Sequence, residues 1–143
     1  MAAINTGRVV AGGLVAGVVG NVLDFFTNAF LLHDEMDLMR QRLNIDVPTW
    51  ESAAAGLTWV GIDFVLGLLL VFTYAAMRPR FGPGPKTAIT AALVLFLAIT
   101  SVMLGFAQMG IFTTALVLEA AFFSLVTMSA ASLAGAYVYR EAA

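Results

Sequence analysis

The sequence has no cysteine at all. That absence excludes disulfides, thiolate metal sites, iron–sulfur clusters and dithiol redox chemistry, and it leaves the redox compartment open. Histidine occurs once, at His33, which is too little imidazole for a metal or acid–base cluster. Charge is also scarce. Only 11% of the 143 residues are Asp, Glu, Lys or Arg, against about 25% in an average soluble domain. A net charge of −2 with scattered basic residues gives no footprint for nucleic acid.

Apolar side chains take up the difference: 61% of the chain is hydrophobic and the mean hydropathy is +0.94. A domain this small leaves much of its surface exposed, so the excess cannot be hidden in a water-soluble core. The natural solvent for it is lipid. A helix crosses the hydrocarbon with about 20 mostly apolar residues. Four segments meet this requirement, near residues 9–32, 53–77, 87–107 and 111–139. The first is too long for a signal-peptide core, and Asn21, Asp24 and Asn28 interrupt it. The expected fold is an all-α, four-transmembrane-helix bundle forming a single integral membrane domain over residues 1–143.

The connections differ. In the first, near residues 34–46, Met36, Met39 and Leu43 recur at i, i+3 and i+7. This predicts a short amphipathic helix lying on the membrane surface and ending before Pro48. The second, Arg78 to Lys86, contains three prolines and two glycines and predicts a rigid non-helical turn. The third, around Gln108, Met109 and Gly110, is short enough to make the last two helices an antiparallel hairpin. With four spans, Arg8, Arg78, Arg80, Lys86 and Arg140 share one side. The positive-inside rule puts that side, with both termini, in the cytoplasm. Trp50 and Trp59 then mark the outer interface, and Tyr74, Tyr137 and Tyr139 the inner one.

Three carboxylic acids fall within the spans: Asp24, Asp63 and Glu119. Each costs about 2.5–3.5 kcal/mol on insertion scales, so each needs a reason. At 1.5 Å per residue all three lie roughly 10–15 Å inside the outer ends of their helices. Thr100 and Ser101 fall near the same level, and Asn21, Asp24 and Asn28 line one face of the first helix at i, i+3 and i+7. Two readings follow. The polar set is a proton or cation site, because close carboxylates cannot all ionise without a counter-cation. Alternatively it is structural glue, with acids hydrogen-bonded to Asn21, Asn28, Thr100 or Ser101. The structural reading is slightly the stronger.

Small residues form a second pattern. Gly13 and Gly17 make a GxxxG, which Gly12, Ala16 and Gly20 extend, and Thr127, Ala131 and Gly135 repeat the step on the fourth helix. Such faces admit a close helix, either within the bundle, which is the simpler expectation, or from another subunit. His33 with Asp34, Glu35 and Asp37 is a poor metal site and reads better as a solvated helix start. No metal is expected. The glycines of the second connection lack the order of a phosphate loop. Arg78, Arg80 and Lys86 are expected to contact anionic headgroups there.

Around this turn, Tyr74-Ala75-Ala76-Met77-Arg78-Pro79-Arg80-Phe81-Gly82-Pro83-Gly84-Pro85-Lys86-Thr87-Ala88, together with Leu133-Ala134-Gly135-Ala136-Tyr137-Val138-Tyr139-Arg140, resembles a group of small uncharacterised bacterial four-helix membrane proteins. The resemblance covers the second to fourth helices best. It implies a bacterial origin and an inner-membrane location, and it implies no activity.

The reading that follows is a non-catalytic accessory or structural subunit of a larger bacterial membrane complex, for example an energy-converting one (respiratory or photosynthetic). It rests on the lack of reactive side chains and on the small-residue faces. The alternative is a small oligomeric transporter or channel moving protons or cations past the intramembrane carboxylates. An enzyme is the least expected class. The expected partners are membrane lipids and either other integral membrane subunits or a second copy. No cofactor is expected, although the eleven phenylalanines would permit a lipid, quinone or pigment between helices.

Overall fold

The computed structural model describes residues 4–139. Arg140, used above for orientation, lies outside the described residues, as does the side chain of Trp50. The element order is α1 (Thr6–Phe26), a π-helical turn (Thr27–Leu31), α2 (His33–Arg42), α3 (Val47–Trp50), α4 (Ala53–Phe81), α5 (Pro85–Gln108) and α6 (Thr114–Val138). Four of these stretches are long and apolar enough to cross a membrane: Thr6–Leu31, α4, α5 and α6. Large apolar side chains such as Val18, Phe25, Leu69, Leu97 and Phe122 point outward along them. That is the surface of a protein whose solvent is lipid. The chain is an all-helical, multi-pass bundle.

Side-chain caps set the helix starts. Asn5, Asp46, Ser52 and Thr113 each accept a hydrogen bond from the backbone N–H three residues on. This satisfies a donor that the first turn would otherwise leave open.

The second connection is shorter than the prolines suggest. Helix α4 runs through Pro79 to Phe81. Pro79 has no N–H to give the Ala75 carbonyl, and only two more residues of helix follow it. The chain then reverses at Gly82 and Gly84, both at positive φ. The turn is pinned by the Thr87 hydroxyl donating to the Gly82 carbonyl (2.7 Å) and the Gly84 N–H donating to the Tyr74 hydroxyl (3.2 Å).

Helix α1 lies against α4 and α6, and α5 closes the bundle against α6 and α4. Glycine governs the α1–α4 contact. A Cβ on Gly67 would stand 2.5 Å from both the Gly13 carbonyl oxygen and the Gly17 nitrogen. A Cβ on Gly12 would stand 2.7 Å from the Gly135 carbonyl oxygen of α6. Backbones this close exclude any larger residue, which is the geometry small-residue faces allow in lipid. Gly12, Gly13, Ala16, Gly17, Gly20, Thr127, Ala131 and Gly135 are all buried within the bundle. They pack against this chain's own helices.

Helix α5 is packed differently along its length. Its buried residues, Thr87, Ala88, Ala91 and Ala92, all lie near its start. There Ser132 of α6, fully buried, donates to the Ala88 carbonyl at 2.7 Å. Farther along, Phe96, Ile99, Thr100 and Met103 are only partly buried. Small side chains thus hold α5 close at the end bearing the α4–α5 turn, and bulky ones face open space toward the other end.

Candidate functional site

The space left by α5 is a cavity of about 470 Å³. Helix α5 supplies Phe96, Ile99, Thr100 and Met103, and α6 supplies Leu116, Val117, Ala120, Ala121 and Ser124. Leu66 and Trp59 come from α4, with Trp59 on the rim, 62% exposed. Met36 and Met39 of α2, with Leu32, Leu43 and Ile45 beside them, line the end away from the α4–α5 turn. Leu32 and Met39 are buried there. A break in regular helix precedes them: the π-helical turn at Thr27–Leu31 passes the chain from α1 to α2.

The wall is apolar except in one region. Asp24 lines it, with Asn28, Thr100, Ser124 and Thr127. The Asp24 carboxyl lies beside the Thr127 side chain of α6 and the Asp63 side chain of α4. Three helices therefore meet at this carboxyl. Gly20 of α1 faces Asp63: a Cβ there would lie 3.8 Å from the Asp63 Cβ, an ordinary contact.

The other polar residues singled out from sequence are dispersed. Asn21 donates to the Gly17 carbonyl (2.9 Å) and to the Val60 carbonyl of α4 (3.3 Å), so it links α1 to α4. Asn28 donates to the Asp24 carbonyl (2.8 Å) and also lines the cavity. Ser101 is exposed and donates to the Leu97 carbonyl of its own helix (2.7 Å). Glu119 is exposed and lies outside the cavity wall. Its position explains this. Two residues beyond buried Val117 is about 200° round the helix, which is the opposite face. The shared layer of three carboxylates expected from depth is thus a pair, Asp24 and Asp63, with Glu119 turned away. Thr127, read from sequence as a packing residue, is the third member of the Asp24 contact. Only its spacing on a small-residue stripe was visible beforehand, and that gave no hint of a carboxyl opposite.

At the other end of the bundle, Arg78 departs from the headgroup contact expected of it with Arg80 and Lys86. Its guanidinium lies over the rings of Tyr74 (5.8 Å) and Tyr139 (5.4 Å), and its Nε and Nη1 are buried. Arg80 and Lys86 are exposed. Tyr74 and Tyr139 are likewise buried, and their rings meet edge to face at 6.0 Å. Only Tyr137 faces outward. Cation–π attraction and the flat fit of guanidinium on aromatic rings favour this box over headgroup contact. The Tyr139 hydroxyl also accepts from the Asn5 N–H (3.3 Å), which ties the start of α1 to the end of α6. His33 and Asp37 form an exposed pair at 4.0 Å on α2, and Arg40 reaches Asp37 at 3.3 Å.

Comparison with models of known protein families, with curated proteins and with solved structures finds no match to this chain. The cavity and its carboxyl pair are what the molecule itself offers.

Proposed function

We propose that the chain is a membrane-embedded binding protein for a lipophilic molecule bearing one small polar head. The observation that carries this is the cavity of about 470 Å³ between α1, α4, α5 and α6. Its volume lies within the roughly 300–1,000 Å³ of small-molecule sites, and such sites are apolar with a few convergent polar groups. Here the apolar part includes Phe96, Ile99, Met103 and Leu116, and the polar groups of the wall are Asp24, Asn28, Thr100, Ser124 and Thr127.

The reading is non-catalytic, since the cavity holds neither a nucleophile–base pair nor imidazole. It places the protein in a bacterial inner membrane with the termini and the α4–α5 turn in the cytoplasm, from the distribution of Lys and Arg. Helix α2 then sits at the outer surface and covers the cavity with Met36 and Met39. An accessory-subunit role loses its main support, because the small-residue faces that would dock a partner pack within the bundle.

One specific observation favours a second reading. Asp24 and Asp63 set two carboxyls beside each other within the spans, the kind of pair a proton carrier uses. Glu119, on the far face of α6, does not continue that path.

The test uses dodecanol as a neutral lipophilic probe, added to the protein in nanodiscs and read by native mass spectrometry. The parent protein retains the probe. Ala121→Phe, which fills the cavity from α6, does not. Equal retention by both would overturn the reading.

A further inference from the structure

The charge balance of the cavity says more about what it binds. Among the lining residues the only ionisable side chain is Asp24. No Lys, Arg or His faces the space. Arg40, the basic residue of α2 beside the covering methionines, is bonded to Asp37 instead. Asp63, on the α4 side, adds a second carboxyl against the first and no positive charge. Asn28, Thr100, Ser124 and Thr127 are neutral.

Two carboxyls in contact share one proton readily, and a second proton or a cation must balance whatever charge remains. In a wall this apolar, an uncompensated carboxylate is expensive, and among the described residues no basic side chain lines the wall to compensate it. A ligand can. Building on the cavity reading above, we propose that the ligand is a lipophilic amine, bound as its ammonium. Its nitrogen lies against the Asp24 carboxylate and its hydrocarbon lies along Phe96, Ile99, Met103 and Leu116.

Each part of the wall then has a partner. The ammonium has donors only, and the Asp24 carboxylate and the hydroxyls of Thr100 and Ser124 are acceptors. Asp63 and Thr127, beside Asp24 on α4 and α6, are positioning residues that fix the carboxylate's direction. The apolar side chains give the tail its hydrophobic contact. An anionic head would meet the carboxyl pair with like charge. A neutral alcohol would fill the same space without balancing the charge. Charge-assisted hydrogen bonds are roughly twice as strong as neutral ones, and the difference corresponds to about tenfold tighter binding or more.

The experiment compares three probes of one chain length, dodecylamine, dodecanol and dodecanoate. Each is titrated into nanodisc-embedded protein at neutral pH, and bound probe is counted by native mass spectrometry. The parent binds the amine about tenfold more tightly than the alcohol, and the carboxylate least. Asp24→Asn binds the amine no more tightly than the alcohol. Ala121→Phe binds none of them. If the alcohol binds the parent as tightly as the amine does, and Ala121→Phe abolishes both, the cavity reading stands and the amine proposal is overturned. If Ala121→Phe changes nothing, both fall. Should Asp24→Asn not fold, Thr127→Val tests the same point through the positioning contact: the preference for the amine over the alcohol shrinks. An unchanged preference in whichever of these variants folds also overturns the proposal.

Discussion

Asp24 of α1 and Asp63 of α4 set their carboxyls beside each other, at the place where the two helices leave their glycine-packed contact. The pair joins what packs the bundle to what lines its cavity. Removing either partner should therefore be felt by the other. A double-mutant cycle with Asp24→Asn and Asp63→Asn, read by thermal unfolding in detergent, should give a coupling of about 0.5–3 kcal/mol, as for residues in one network. Glu119→Gln, exposed on the far face of α6, should couple to neither and unfold as the parent does.

The glycines separate into two kinds. Gly67→Ala drives a Cβ to 2.5 Å from the backbone of α1, so the helices must part. Overpacking of this sort costs about 1–3 kcal/mol. Gly61, on the same helix, has nothing within 4 Å of the position its Cβ would take. Gly61→Ala should be neutral or stabilising by about 0.5–1 kcal/mol, since alanine is the better helix former. Unfolding midpoints of the two variants in one detergent check the contrast. Equal effects would contradict the close-packed α1–α4 contact.

Much of the fold is legible in the sequence. The four apolar runs announce the spans. The site is only half legible, for a geometric reason. Residue number gives depth along a helix, which placed Asp24, Asp63 and Glu119 at one level. It does not give rotation about the axis, and rotation turns Glu119 out while bringing Thr127 onto Asp24. Ser101 and Thr100 divide in the same way, one outward and one onto the cavity. The cavity leaves no motif, because it comes from a gradient of side-chain size along α5, from Ala88 and Ala91 to Phe96 and Met103. Arg78 was misplaced for a related reason. A basic residue beside a proline-rich turn looks like a headgroup anchor until two tyrosines from different helices are seen to enclose it.

The close approach of α5 to α6 depends on one buried hydroxyl. Ser132 donates to the Ala88 carbonyl at 2.7 Å with no exposure. Ser132→Ala should lower stability by about 0.6 kcal/mol, the average for interhelical polar contacts in membrane proteins. Denaturation by sodium dodecyl sulfate in mixed micelles measures it, and a loss of several kcal/mol would show that the hydroxyl does more than bridge two helices.

The loop before α4 carries a pH-dependent cap. The Thr49 backbone N–H, and after it the Thr49 hydroxyl, bond to Asp46 and hold its carboxyl below the usual carboxylate range. A lowered value in the folded state means that the cap stabilises α3 fully above the ordinary Asp value of about 3.9, and that this is lost as pH falls through the folded-state value. Amide exchange at Thr49, corrected for intrinsic rates, should be slow near neutrality and accelerate at acid pH. In Asp46→Ala it should be fast throughout. Identical pH profiles in the two proteins would contradict the cap.

The central claim is that the space beside Asp24 holds a lipophilic molecule. Native mass spectrometry of the protein released gently from its own membranes tests it most directly, with Ala121→Phe prepared in the same way. The account predicts a discrete small-molecule adduct of constant mass on the parent and none on the filled variant. Parent and variant that both arrive bare, or both carry the same mixture of membrane lipids, would contradict it.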